Sequence, residues 1–151
     1  MERIDGIDIE FMLVADAAQS IGAKVYVLGG GWTQLLLEEF PSSAPFPFAV
    51  VVGITVPWNM TNQRFTFALE LVDADGSLVD TVAEPHEFEQ GRPPGLRPGA
   101  TQRLNFAVPV LVEFPAPGRY VFRGLVDGEP RAETVIEVGS MERGGWRAPH
   151  P

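Results

Sequence analysis

Apolar and polar residues alternate along most of the chain, and a period of two predicts strands rather than helices. Phe65, Phe67, Leu69 and Leu71 alternate with Arg64, Thr66, Ala68 and Glu70, and Asp73-Ala-Asp-Gly76 then turns the chain into a second strand over 78–82. Ile7, Ile9, Phe11 and Leu13 alternate with Asp8, Glu10 and Met12, which predicts a strand with one buried face. Val25, Tyr26 and Val27 follow a turn near Ser20 to Gly22. Residues 48–56 are apolar on both faces, as a central strand requires. Leu104, Phe106, Val108, Val110 and Val112 form another apolar face, with Pro109 on the outward side, where its missing N–H suits an edge strand or a bulge. Finally, residues 119–138 read as two alternating strands joined at Asp127-Gly128, whose composition supplies the positive φ angles of a type I′ hairpin turn.

About seven or eight short strands with turn chemistry between them predict an all-β domain, an immunoglobulin-like antiparallel β-sandwich, with a small β-barrel as the alternative. Residues 1–138 form the single domain of this reading and 139–151, which lack any apolar pattern, a mobile tail. One stretch, residues 31–39, is as compatible with a helix as with a strand. Pro-rich connections at 40–48, 84–99 and 114–118 read as loops.

Composition narrows the function more than it names one. A chain of 151 residues suits one domain with a core of its own. Cysteine is absent, which removes disulfides, thiolate nucleophiles and Cys-ligated metal sites and fits a cytoplasmic setting. Acidic residues near the start do not resemble a secretory signal, and no apolar run is long enough for a membrane-spanning helix. The net charge of -9 works against nucleic acid as a partner. The basic exception is 92–103, where Arg92, Arg97 and Arg103 occur without an acidic neighbour.

Leu13-Val-Ala-Asp-Ala-Ala-Gln19, Gly22-Ala-Lys-Val-Tyr-Val-Leu-Gly-Gly-Gly-Trp32, Gly91-Arg-Pro-Pro-Gly95, and Pro117-Gly-Arg-Tyr-Val-Phe122 with Val126-Asp-Gly-Glu129 occur in that order. Together they resemble a family of small uncharacterised bacterial proteins, a domain of unknown function. The resemblance implies no activity, substrate or cofactor.

No cluster has the types and spacing that would assign a catalytic residue, a metal site or a cofactor. Gly29-Gly-Gly-Trp32 lacks the Gly-Lys-Ser/Thr ending of a phosphate loop and reads as a bulge or tight crossing. Asp73 and Asp75 supply too few oxygens for calcium and read as turn residues. His86 lies among Glu84, Glu87 and Glu89, a grouping that could hold a metal or move a proton, while Trp58 could stack on a ligand or anchor a partner. The loop 87–99, stiffened by prolines and tipped with Arg92 and Arg97, is the strongest binding candidate. Two readings follow. The first is a non-catalytic binding or assembly module that recognises a protein partner through this loop and an edge strand, with a homodimer possible through that edge. The alternative is a small-molecule or carbohydrate binder, or a hydrolase, using Trp58, His86 and nearby carboxylates. The binding residues expected are Arg92, Arg97, Trp58 and His86.

Overall fold

The computed structural model describes residues 6–142 and 145–146. They form a β-sandwich. The first sheet has the order β2-β1-β5-β8, with β1 at Asp8–Ile21, β2 at Lys24–Gly30, β5 at Phe48–Val56 and β8 at Gln102–Val110. The second has the order β12-β11-β10-β6-β7, with β6 at Arg64–Asp73, β7 at Leu78–Glu89, β10 at Gly118–Val126, β11 at Glu129–Glu142 and β12 at Gly145–Trp146. Strand β3, Gln34–Leu37, adds to this sheet by pairing parallel with β11, and β4 (Ser42–Ser43) pairs with β9 (Glu113–Phe114) as a small clasp. Both main sheets stay open, so the barrel alternative does not apply.

The alternating strands build the core as their period dictates. Phe65, Phe67, Leu69 and Leu71 of β6 are all buried, and they face Val50, Val52 and Ile54 of β5 across the sandwich. Phe67 meets Phe106 of the opposite sheet edge-on at 5.1 Å, and Phe48 meets Phe122 at 6.2 Å, so aromatic pairs join the two layers. Strand β5 is buried on both faces and lies between β1 and β8, while β8 with Pro109 is an edge. At the hairpin between β10 and β11, Asp127 and Gly128 have φ of 51° and 79°, as a type I′ turn needs. The Asp127 carboxylate accepts from the Thr66 N–H at 2.9 Å and ties the turn to β6. Tyr120 donates to the Ala116 carbonyl at 2.6 Å and so tethers β10 to the segment that leads into it.

Three expectations change, and one choice left open between helix and strand is decided. In β1 the register shifts between Ile9 and Phe11, and this extra residue exchanges the faces downstream. Ile9 and Met12 therefore point into the core beside Gly124, whereas Phe11 lies on the outer face, its ring occupying the space a Cβ on Gly53 would need. In β7 the strand does not stop near 82. It continues to Glu89 at the sheet edge and absorbs Pro85 where the pairing with β6 shifts register. Residues 34–37 are strand rather than helix because the main chain of β11 pairs with them. The same pairing carries β11 past 138 to Ser140 and pairing with β12 extends it to Glu142, so the expected tail begins as strand, while 143–144 and 147–151, His150 among them, lie outside the described residues.

Beyond Ala15, β1 leaves β5 and pairs with β2 alone. This hairpin folds back over the outer face of the first sheet, where Ser20 Oγ donates to the Asn105 carbonyl at 3.0 Å and Asn105 Nδ2 donates to the Ala23 carbonyl at 3.2 Å. Ala17 and Ala18 of the hairpin line a depression with Ala49, and both Ala49 and Val51 are buried, so β5 has no wet face. Gly29 and Gly31, with φ of 61° and 90°, then take the chain across to the second sheet, and Trp32 packs edge-on against Phe48 at 5.1 Å. Among the described residues no helix is long and apolar enough to cross a membrane.

Candidate functional site

Two connections meet at one end of the sandwich, one between β5 and β6 and the other between β7 and β8. The first forms a short 3-10 turn at Trp58–Met60. The second, residues 90–101, contains Pro94-Gly95 and Pro98-Gly99 in tandem, with Gly95 and Gly99 at φ of 87° and 84°. Leu96 N donates to the Pro93 carbonyl at 3.2 Å and Ala100 N to the Arg97 carbonyl at 3.0 Å, so each Pro-Gly pair closes a turn of type II character. Proline fixes one central residue and glycine supplies the positive φ of the next, which leaves this loop few alternative conformations.

Side chains lock the two connections together. The Arg92 guanidinium lies 3.7 Å from the centre of the Trp58 ring. Its Nε donates to Thr61 Oγ1 at 2.8 Å and its Nη2 to the Trp58 carbonyl at 2.9 Å, and the Thr61 hydroxyl in turn donates to that carbonyl at 2.7 Å. Thr61 is buried, so this network satisfies polar groups that have little access to water. At the loop's base, Gln90 Nε2 donates to Gln102 Oε1, and Gln102 Nε2 donates to the Gly91 carbonyl, both at 2.9 Å. Asn62 N, in the first connection, donates to the Gln90 carbonyl at 2.8 Å.

Of the four expected binding residues, the fold brings Trp58 and Arg92 together and makes them a structural clamp. Arg97 stands apart on the exposed loop, with no salt bridge to any described residue. Arg103, Arg119, Arg123 and Arg131 are each paired with a glutamate, at 2.6, 2.7, 3.4 and 3.2 Å. His86 belongs to β7 rather than to the loop, roughly 13 Å along the strand from Gln90 at the usual rise per residue. Its ring packs edge-on against Phe88 at 4.9 Å, and Glu87 and Glu89 fall on the opposite face of the strand because side chains alternate. Among the described residues no three His, Asp or Glu side chains gather to hold a metal ion. The Asp73 carboxylate accepts from the N–H groups of Asp75 and Ser77 at 3.0 and 2.9 Å, which commits it to the turn. A depression of about 300 Å³ lies elsewhere, lined by Leu36, Glu39, Ser43 and Met141.

Thr61, Gln90 and Gln102 are parts of this clamp that the sequence pattern did not single out. The only signal was their position at strand ends flanking the Pro-Gly segment, and the partners lie about 30–40 residues away in the chain for the Arg92 contacts.

The family model for the DUF6941 family of unknown function matches residues 10–139, a span that includes the clamp, the loop and the β1–β2 hairpin. The chain belongs to this family. No curated protein matches the sequence. Among solved structures, this DUF6941 domain is similar to the Pseudomonas fluorescens alkylpurine DNA glycosylase AlkC bound to DNA containing an abasic site analog, with 15% identity and a TM-score of 0.43. The match covers 87% of this chain and 30% of that one, and at this level of likeness it carries no argument about activity.

Proposed function

We propose that this domain is a non-catalytic binding module, and that it recognises an anionic group on a protein partner through Arg97 on the 91–100 loop. The observation that supports this reading is the contrast between a rigid, clamped loop and the unengaged cation it presents. A guanidinium on a stiff loop loses less freedom on meeting a carboxylate than one on a flexible segment. Arg92 is a positioning residue in this scheme, since its Nε and Nη2 donate to Thr61 and Trp58 and its guanidinium lies over the Trp58 ring.

The test is a pull-down from the native host combined with thermal melts. Arg97→Ala is expected to melt as wild type does and to lose the partner that wild type retains. Arg92→Ala is expected to cost about 1–2 kcal/mol, from a lost cation–π contact and the two hydrogen bonds that Thr61 Oγ1 and the Trp58 carbonyl accept from it. Retention of the same partner by folded Arg97→Ala would sink the reading.

A further inference from the structure

The four outermost strands of the two main sheets differ in how they meet solvent. Strand β7 carries Asp80, Glu84, Glu87 and Glu89 with Pro85, and β8 carries Pro109 with Arg103, the charge and proline devices that keep an edge from pairing. Beside β11, the edge is interrupted by short strands. Strand β2 is the exception. Its inner side pairs with β1 from Lys24 to Gly30, no described strand pairs with its outer side, and Lys24 is its one charged residue.

The hairpin face that points away from β8 is apolar. Ile21, Tyr26 and Leu28 are 54%, 55% and 72% exposed, with Ala17 beside Leu28 and Gln19 beside Tyr26 in register. Exposed apolar side chains grouped on a free edge indicate a surface that is covered in use. Two observations identify what covers it. From Ala15 to Trp32 the charges are Asp16 and Lys24 alone, so the hairpin is neutral in a chain of net charge -9. A second copy, equally acidic, meets least repulsion there. The segment Val25-Tyr26-Val27 also reads the same in both directions, so an antiparallel copy places valine opposite valine and tyrosine opposite tyrosine.

We infer that β2 pairs antiparallel with β2 of a second copy about a two-fold axis at Tyr26. In this register Val25 lies opposite the other copy's Val27 and Lys24 opposite its Leu28, and the ladder ends before Gly29, whose φ of 61° breaks the extended strand. The contact is isologous, as a two-fold axis requires, and closes at a dimer. Five residues of ladder with four apolar side chains make a small interface, so the expected dissociation constant is about 1–100 µM. The loop reading does not enter this argument, and either can fail alone.

Absence of native cysteine makes the test direct. Sedimentation equilibrium of the wild type across that range is expected to show mass rising from 16.5 kDa toward twice that value. Tyr26→Cys, under mild oxidation, is expected to form a disulfide-linked dimer, because directly opposed residues place their Cα atoms about 4.5–5.5 Å apart. Leu28→Cys should not, since its symmetry mate lies roughly 13 Å away along the ladder. Leu111→Cys, on an exposed site away from the hairpin, controls for random collision. The pair Tyr26→Glu with Leu28→Glu should leave the melting temperature unchanged and abolish the dimer. A wild type that stays monomeric at about 200 µM, a dimer that survives the double substitution, or a monomer that instead binds phosphatidylcholine vesicles through this face would each overturn the inference.

Discussion

A single buried hydroxyl links local geometry to stability in this domain. Tyr120 lies against Phe114 in the core, with ring centres 5.1 Å apart, and its O–H reaches the Ala116 carbonyl at the turn into β10. Burial raises its pKa above the ordinary 10.0, the negative charge of Asp73 on the neighbouring strand raises it further, and the Ala116 N–H, which donates to the phenol oxygen at 3.3 Å, pulls it partly back. The sign follows from linkage. Below pH 10 both folded and unfolded chains hold the proton, so this residue gives no pH dependence there; above it the unfolded chain releases the proton first, and stability falls. Few other groups titrate in that range, because the chain has one Lys and no Cys. Wild type is therefore expected to lose melting temperature above about pH 10, while Tyr120→Phe, about 1 kcal/mol less stable at neutral pH, gives a flatter alkaline profile. Parallel alkaline profiles for the two proteins would remove this assignment.

Within single elements, what the sequence discloses is what depends on near neighbours. The β10–β11 hairpin is the clearest case, since Asp127 and Gly128 both require positive φ and the flanking strands alternate without interruption. Gly128→Val should cost on the order of 1–2 kcal/mol, because a β-branched residue resists that conformation, and urea unfolding checks it. Phe67→Ala, in the most regular strand, should cost about 3–5 kcal/mol. A midpoint unchanged by either would contradict the element concerned. Strands β5, β6 and β8 were legible for the same reason. The β1 bulge was not, because one inserted residue reverses the faces of Phe11 and Met12 without altering the apolar composition. Strand β7 looked like loop past 82 because Pro85 and a run of carboxylates resemble a connection, yet at a sheet edge they are tolerated and even protective. The end of β11 was hidden because its pairing partner, β3, lies about a hundred residues earlier. The candidate site was legible only as a stiff basic loop. Which arginine is spent and which is available depends on Trp58 and Thr61, whose proximity arises from the fold.

At the scale of the whole molecule, charge separates the two proposed contacts by their response to salt. Each copy carries a net charge of -9, with the described guanidiniums other than Arg64 and Arg97 already engaged by glutamates or by the Trp58 clamp. Two such bodies repel as they approach, while the hairpin contact itself contains no ion pair in the inferred register. Added salt screens the repulsion and leaves the apolar contact in place, the Debye length falling from about 30 Å at 0.01 M to about 10 Å at 0.1 M. Self-association through β2 is therefore expected to strengthen between those two salt concentrations. Recognition of an anionic group by Arg97 depends on attraction and should weaken over the same range. Duplex DNA, whose long array of phosphates faces the acidic remainder of the surface, should not be bound at physiological salt. Sedimentation of the wild type at both salt concentrations, beside partner binding compared between wild type and Arg97→Ala, reads the two signs independently. A dimer that dissociates as salt rises would mean that ion pairs hold it, which the neutral hairpin cannot supply, and the two-fold at Tyr26 would then be wrong even if a dimer exists.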